Sequence, residues 1–277
     1  MLKRNIKNLL KDERVEKARD IGDTLVFLDD EMIDKSAMQS HQRKDGKVKR
    51  IVKSILKKFR PPHHSVYFDT LESSTHEGET LIKFLQGFDE GSNILNIGSL
   101  SKKINGSKGN IINLDISFYP NIDIVADAHD LPFKDASLDG IIIKNVFEHL
   151  RNPIVVLAEI RRVLKKGGLM YAKIPFMQPF HAVPDDYQRY SINGIFEFLK
   201  EFEIVEDGIS VGPSSALAWF LIEYLGILFS FNTERGYKIA KGFFSYLVAP
   251  IKYYDIFFKN KKHAKKLASA FYVIAKR

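Results

Sequence analysis

Residues 93–98 (NILNIG), 111–115 (IINLD), 122–127 (IDIVAD) and 138–145 (LDGIIIKN) share one plan: a short apolar run that ends on a glycine or a polar side chain. A fifth run, 169–174 (LMYAKI), has the same length and closes on Pro175. Runs that are apolar throughout, rather than alternating, predict parallel strands covered on both faces. Between the last two runs, Asn152 and Pro153 fit the N-cap and first position of a helix with Val156, Ile160, Val163 and Leu164 on its apolar face, and Gly167-Gly168 predicts its C-cap. Strands interleaved with helices give an open, mainly parallel α/β sheet. Ligands bind such sheets beyond the carboxyl ends of the strands.

Outward from this centre, Leu81, Ile82, Leu85 and Phe88 predict a helix from Glu77 to Phe88. Ile51, Ile55 and Leu56 in a Lys-rich setting predict a basic amphipathic helix ended by Pro61-Pro62. Strands are expected at 202–209 and 271–276, with some sixty strongly apolar residues between them. Residues 216–231 (ALAWFLIEYLGILFSF) carry the single charge Glu223, and 242–258 add Phe243, Phe244, Tyr246, Leu247, Tyr253, Tyr254, Ile256, Phe257 and Phe258. A bilayer-spanning helix needs about twenty apolar residues, and these charge-free runs are shorter. They read either as helices buried on the sheet or as a hairpin in a membrane interface, with aromatic and Lys side chains at headgroup level. The expected organisation is a basic helical extension (1–75), a core (76–212), an apolar helical insertion (213–268) and a final core strand (269–277).

The 277 residues are 45% hydrophobic and 27% charged, which excludes disorder or a collagen-like chain as a whole-chain reading. With no cysteine, disulfides, thiolate metal sites and a cysteine nucleophile are excluded. Charges at Lys3, Arg4, Lys7, Lys11 and Asp12 interrupt any signal-peptide core, so a cytoplasmic location is expected. The net charge of +8 is uneven: residues 1–60 hold 17 basic and 10 acidic side chains, residues 251–277 hold 8 and 1, and the middle is net acidic. A nucleic-acid binder would concentrate positive charge around its cleft, so no nucleic acid is expected. Basic ends suit an anionic membrane surface, or are simply solvated helices.

The strand ends carry the candidate chemistry. In Asn96-Ile97-Gly98-Ser99, the glycine lets the backbone approach a ligand, and the following amides can meet a polar group. Asp115 can accept both hydroxyls of a ribose, or is a strand-end turn residue. Asp127 can accept from an exocyclic amine, with Leu131 and Phe133 as apolar walls, or belongs to a polar loop. Asn145 ends the fourth strand, and His149 behind it reads as a base or, more simply, a hydrogen-bonded structural residue. The loop 175–190 packs His181, Asp185, Asp186, Tyr187 and Arg189 at the same edge. It could seat an acceptor beside a base, or be structural with Arg189 paired to an aspartate. No metal is expected, because His181 and the aspartates lack a second histidine at useful spacing.

DAHDLPF (127–133), SLDGIIIKNVFEHL (137–150), EIRRVLKKGG (159–168) and PFMQPFHAVPDDYQRYS (175–191), in that order and spacing, resemble the class I S-adenosylmethionine-dependent methyltransferases of the type 11 group. The likeness covers about residues 93–189. It implies a Rossmann-like sheet flanked by helices and S-adenosyl-L-methionine as cofactor. Asp115 would hold the ribose, Asp127 with Ala128 the adenine, Gly98 with Asn96 and Ser99 the amino acid part, and Asn145 the methyl end. In one respect the chain departs from the pattern. The family's first loop carries an acidic residue and two or three glycines, where this chain has Asn96 and the single Gly98.

Within that resemblance the reaction is in-line transfer of the sulfonium methyl to an acceptor, aided by alignment and a base. His181 and Asp186 are the candidate bases, and Tyr187 and Arg189 the candidate acceptor-binding residues. Related HxxPxDYxR loops are associated with surface-polysaccharide and lipid-linked sugar pathways, which implies O-methylation of a glycan or lipid-linked sugar by a protein held peripherally at the inner membrane face. The alternatives are a small-metabolite methyltransferase and a non-catalytic binding protein of the same fold. A nicotinamide dehydrogenase is disfavoured by the missing GxGxxG glycines.

Overall fold

A computed structural model describes residues 2–21, 23–28, 78–100, 104, 106–182, 185–259 and 261–277. The basic helix expected around Ile51–Leu56 lies outside the described residues.

The five apolar runs form parallel strands: β3 (Asn93–Ile97), β4 (Asn110–Asp115), β5 (Ile124–Val125), β6 (Leu138–Lys144) and β7 (Leu164–Pro175). They belong to one sheet in the order β1-β2-β5-β4-β3-β6-β7-β9-β8. Here β1 (Arg19–Ile21) and β2 (Thr24–Val26) precede the core, and β8 (Glu203–Val211) and β9 (Ala270–Lys276) follow it. The chain runs outward from β3 through β4 to β5, then returns to lay β6 on the other side of β3. The strand order therefore reverses at β3, and the crevice at its carboxyl end is flanked by the ends of β4 and β6.

Period-two geometry sends Leu95, Ile97, Ile141 and Ile143 to one face and Ile94, Ile142 and Tyr171 to the other. The first face is covered by α4 (Pro153–Val163), whose Val156, Ile160 and Val163 are fully buried as its periodicity predicts. The second is covered by α3 (Glu79–Gln86), which with the turn after it buries Leu81, Phe84, Leu85 and Phe88. Each such side chain contributes about 1.5–3 kcal/mol of gross burial energy, so both faces of the central strands are firmly closed and their carboxyl ends are left for a ligand.

Two local expectations change. The α4 helix stops at Val163, and Gly167, at φ +78, lies inside the irregular start of β7 rather than in a C-cap. The expected third strand shrinks to Ile124–Val125. Between Gly98 and Gly109 the described residues contain no helix.

Residues 2–28 hold two helices, α1 (Leu2–Leu9) and α2 (Asp12–Lys17), and also strands β1 and β2, with β2 parallel to β5. Ile6, Leu10 and Leu25 join the main core, so this stretch completes one edge of the sheet. Beyond β7 come α5 (Ile192–Phe198) and β8, then the apolar insertion. The insertion folds into α6 (Pro213–Leu228), α7 (Glu234–Val248) and two 3-10 segments before β9 returns antiparallel between β7 and β8. Among the described residues no helix is long and apolar enough to cross a membrane.

Inside the insertion, buried Asp255 caps α6 by accepting from Ser214 N at 2.6 Å, Ser215 N at 3.1 Å and Ser215 Oγ at 2.6 Å. Glu223 pins α6 to α7 by accepting from Trp219 Nε1 at 3.2 Å and from Tyr237 and Lys241. Burial pushes the Glu223 carboxyl up, but the Lys241 and Tyr237 bonds outweigh it and hold it below its ordinary value.

Candidate active site

Gly98 follows β3 at φ +68, a conformation that side-chain-bearing residues rarely adopt, and a Cβ there would collide with Val146 Cγ2. The ends of β3 and β6 thus meet closely at the point where strand order reverses. The amides after β3 do not face outward as expected. Gly98 N–H and Ser99 N–H donate to Leu114 O at 2.9 and 3.3 Å, and Leu100 N–H donates to Asp115 Oδ2 at 2.9 Å. Nor does Asn96 reach the crevice mouth: it is buried, and its Nδ2 donates to Asn113 Oδ1 at 3.0 Å. Asn113 in turn donates to Asp123 Oδ2, so Asn96 starts a polar ladder across the sheet.

Asp115 ends β4 as expected. Its carboxylate takes Leu100 N–H on Oδ2 and Ser117 N–H on Oδ1 at 3.0 Å. Burial raises its pKa, against the pull of these backbone bonds. The Ile116 amide adds a third backbone contact, and a carboxylate offers about four acceptor positions, so capacity for a ligand hydroxyl remains among the described residues. Asp127 stands past the neighbouring β5, whose Val125 is in register with Asp115. Its Oδ1 accepts from His129 N at 2.9 Å and contacts His129 Nδ1 at 2.6 Å. Both contacts use one oxygen, leaving Oδ2 for another donor. Ala128 beside it is buried. Leu131 and Phe133 are corrected: both are fully buried in the main core, beneath Leu10 and α4, and cannot wall an open pocket.

Asn145 ends β6, exposed and at φ +53, with its N–H on Lys173 O at 2.9 Å. A non-glycine residue held in this region stores about 1–3 kcal/mol of strain, of the kind that clusters at functional sites.

The loop after β7 folds back onto the 147–150 turn. Tyr187 N–H donates to Glu148 O at 2.8 Å, and Gln188 Nε2 donates to Phe147 O and Leu150 O at 2.8 and 3.0 Å. Of the two candidate bases the geometry disfavours Asp186. Its carboxylate takes Arg189 Nη1 and Nη2, the latter at 2.6 Å, and His181 N–H at 2.9 Å. Burial pushes Asp186 up, but the Arg189 bonds and the His181 amide hold it below its ordinary value, which suits a structural ion pair rather than a proton acceptor. Arg189 commits both Nη atoms to that pair and to Gln188 O, with only its buried Nε left without a partner among the described residues, so it does not present a free fork to an acceptor.

His181 is different. Burial lowers its pKa, which favours the neutral ring that can accept a proton. It stands 5.4 Å from the rings of both His149 and Trp219, the latter on α6, so the apolar insertion borders this loop. Tyr187 is exposed, its hydroxyl donating to Asp185 Oδ2 at 3.0 Å and its ring lying under Arg151.

Sequence reasoning passed over Glu148. This side chain is fully buried behind the loop, both carboxylate oxygens lack hydrogen-bond partners among the described residues, and burial pushes its pKa up to about 8. The pair Glu148-His149 was the available signal. A separate cleft, lined by Arg151, Leu157, Tyr190 and Phe198, opens between α4 and α5 and includes none of the cofactor candidates.

A family profile described as "Methyltransferase domain" matches residues 97–172, the stretch that runs from Gly98 past Asn145 to β7. The chain is 47% identical over 45 residues to the protein MJ1123 of Methanocaldococcus jannaschii, covering 16% of this chain and 22% of that one. It is 26% identical over 160 residues to a 37.1 kDa protein in a transposon of Streptomyces fradiae, covering 53% and 43%. The matches thus span less than half of these relatives. Among solved structures, the [4+2]-cyclase SpnF aligns at 16% identity and TM-score 0.49 over 83% of this chain and 92% of that one. A phosphoethanolamine N-methyltransferase of Haemonchus contortus, in complex with S-adenosyl-L-methionine, aligns at 14% identity and TM-score 0.47 over 72% and 51%. Residues 97–172 thus match a methyltransferase domain, and the likeness is to the class I S-adenosylmethionine-dependent methyltransferases of the type 11 group. Domains of that class use S-adenosyl-L-methionine, and the β3 turn without room for a Cβ, together with the carboxylates of Asp115 and Asp127 at neighbouring strand ends, fits that group.

Proposed function

We propose that this protein methylates an oxygen of a glycan or lipid-linked sugar at an anionic membrane surface. The cofactor supplies an activated methyl group with a good leaving group. Asp115 holds two ribose hydroxyls, Asp127 with Ala128 the adenine, and Gly98 with the backbone of Ser99 permits close approach of the amino acid part. Asn145 lines the methyl end. His181 accepts the acceptor's proton, and Tyr187 packs against the sugar.

The observation that carries the membrane reading is the insertion. A helix that is apolar all round is normally buried, yet α6 exposes Leu217, Phe220, Tyr224, Ile227 and Leu228, while α7 exposes Ile239, Phe243 and Leu247. Lys259, Lys261, Lys262, Lys265 and Lys266 follow in the same insertion. Apolar side chains flanked by lysines fit an interface of acyl chains and anionic headgroups. Trp219, on the same helix, stands against His181.

The test is incubation of the protein with labelled S-adenosyl-L-methionine and fractionated lipids, glycans and small metabolites, with co-sedimentation on vesicles containing and lacking anionic lipid. Label in the lipid or glycan fraction, with sedimentation on anionic vesicles only, supports the proposal. Label confined to aqueous metabolites and no sedimentation would replace it with a small-metabolite methyltransferase. Absence of calorimetric heat with the cofactor would favour a binding protein.

A further inference from the structure

Ligand atoms of Glu148, His149 and His181 all lie within 4.8 Å of one another. The histidines are 32 residues apart in sequence and meet only because Tyr187 and Gln188 tie the 175–190 loop to the 147–150 turn. A buried carboxylate with neither oxygen hydrogen-bonded is costly unless something compensates it. Glu148 is such a group, and its Oε1 points at His149 Nε2, 3.6 Å away. The other nitrogen of His149, Nδ1, contacts Asp185 O. Donation to that carbonyl puts the proton on Nδ1 and leaves a lone pair on Nε2, the arrangement that orients metal-ligating imidazoles. His181 Nδ1 faces an acceptor, Pro179 O at 3.1 Å, and a donor, Arg189 Nη2 at 3.0 Å; in the tautomer that donates to Pro179 O the lone pair lies on Nε2. The nearby Arg189 charge is already neutralised by Asp186.

We propose that Glu148, His149 and His181 form a binding site for one divalent transition-metal ion of the zinc class, with a coordination position left for an oxygen of the acceptor. Two imidazoles and one carboxylate suit such ions, and three protein ligands characterise sites that keep a position open. At metal–ligand distances of about 2.0–2.2 Å the donor atoms must close in somewhat, within reach of small side-chain rotations. The two histidines are partly exposed, which gives an ion access. The acceptor role rests on the methyltransferase reading. There the ion would acidify a bound hydroxyl, whose proton leaves to water as the oxygen takes the methyl group, in place of proton removal by a metal-free His181. Metal binding itself does not depend on that reading.

The experiment uses the tag-free full chain, stripped with chelator, dialysed, and titrated with ZnCl2 by calorimetry and with CoCl2 by visible absorption. One equivalent of each ion is expected, with a visible cobalt band, and Glu148→Gln, His149→Gln and His181→Gln should each weaken binding at least about tenfold. His181→Gln changes a partly exposed side chain and decides the matter if Glu148→Gln does not fold. No stoichiometric binding, or binding unchanged in the folded variants, overturns the site and leaves Glu148 a buried neutral acid. Parallel titration with S-adenosyl-L-methionine separates the two readings: cofactor heat without metal heat removes this proposal alone, and metal heat without cofactor heat removes the methyltransferase reading alone.

Discussion

Val146 Cγ2 occupies the space that a side chain on residue 98 would need, so the first residue after β3 and the second after β6 are locked together at the sheet's point of reversal. Gly98→Ala combines this collision with an unfavourable φ. It should destabilise the fold by about 1–3 kcal/mol, measured by urea unfolding. Adding Val146→Ala relieves the collision and should recover part of the loss, while the φ penalty persists.

Asp115 ends β4 beside the point where strand order reverses, and in the proposed function its removal should act on the cofactor. Asp115→Ala is expected to raise the dissociation constant for S-adenosyl-L-methionine about ten- to hundredfold, the effect of losing charged hydrogen bonds, as read by calorimetry. Asp127→Ala should weaken binding less, since only one of its oxygens is available. Equal affinity for Asp115→Ala and the parent would remove Asp115 from the site.

Arg189→Met leaves the nearly buried Asp186 carboxylate without its partner. A loss of about 3 kcal/mol is expected, the lower end for breaking a buried pair, and Asp186→Asn in the same chain should restore part of it. If Arg189 instead served the acceptor, Arg189→Met would raise KM without altering the unfolding midpoint.

Lys252 is buried in the insertion, and burial lowers its pKa to about 8, below its ordinary value of 10.5. A lysine depressed in the folded state destabilises the fold fully below pH 8, and this penalty fades as pH rises from 8 to 10.5, because the unfolded chain binds the extra proton across that window. Lys252→Met should therefore be more stable than the parent at pH 7, with the advantage shrinking toward pH 10.5. An advantage independent of pH, seen in thermal melts across the range, would contradict this.

The parallel strands were legible because strands covered on both faces read as unbroken apolar runs, as at Ile141–Ile143. Asp115 and Asn145 were legible because strand ends follow from the runs. The β1–β2 pair was not, since Arg19–Ile21 and Thr24–Val26 are three residues each and the first is wholly exposed, with no pattern to read. Gly167 misled because a glycine at positive φ serves an irregular strand as readily as a helix end. Leu131 and Phe133 looked like pocket walls because sequence spacing could not show that Leu10 would pair with Phe133. Glu148 escaped notice because its burial comes from a distant loop folding back over it. The Arg189–Asp186 pair was legible because the two residues lie three apart in one loop with opposite charges.

The insertion of β9 between β7 and β8 has a consequence for synthesis on the ribosome. Until residues 270–276 have left the exit tunnel, β7 has an open flank and β8 has no neighbour to pair with. The apolar helices between them emerge before this closure, so the nascent chain holds its stickiest surface exposed while one side of the sheet is still unfinished. Ending the chain just before Ala270 should yield a species far more prone to aggregate than the full 277 residues.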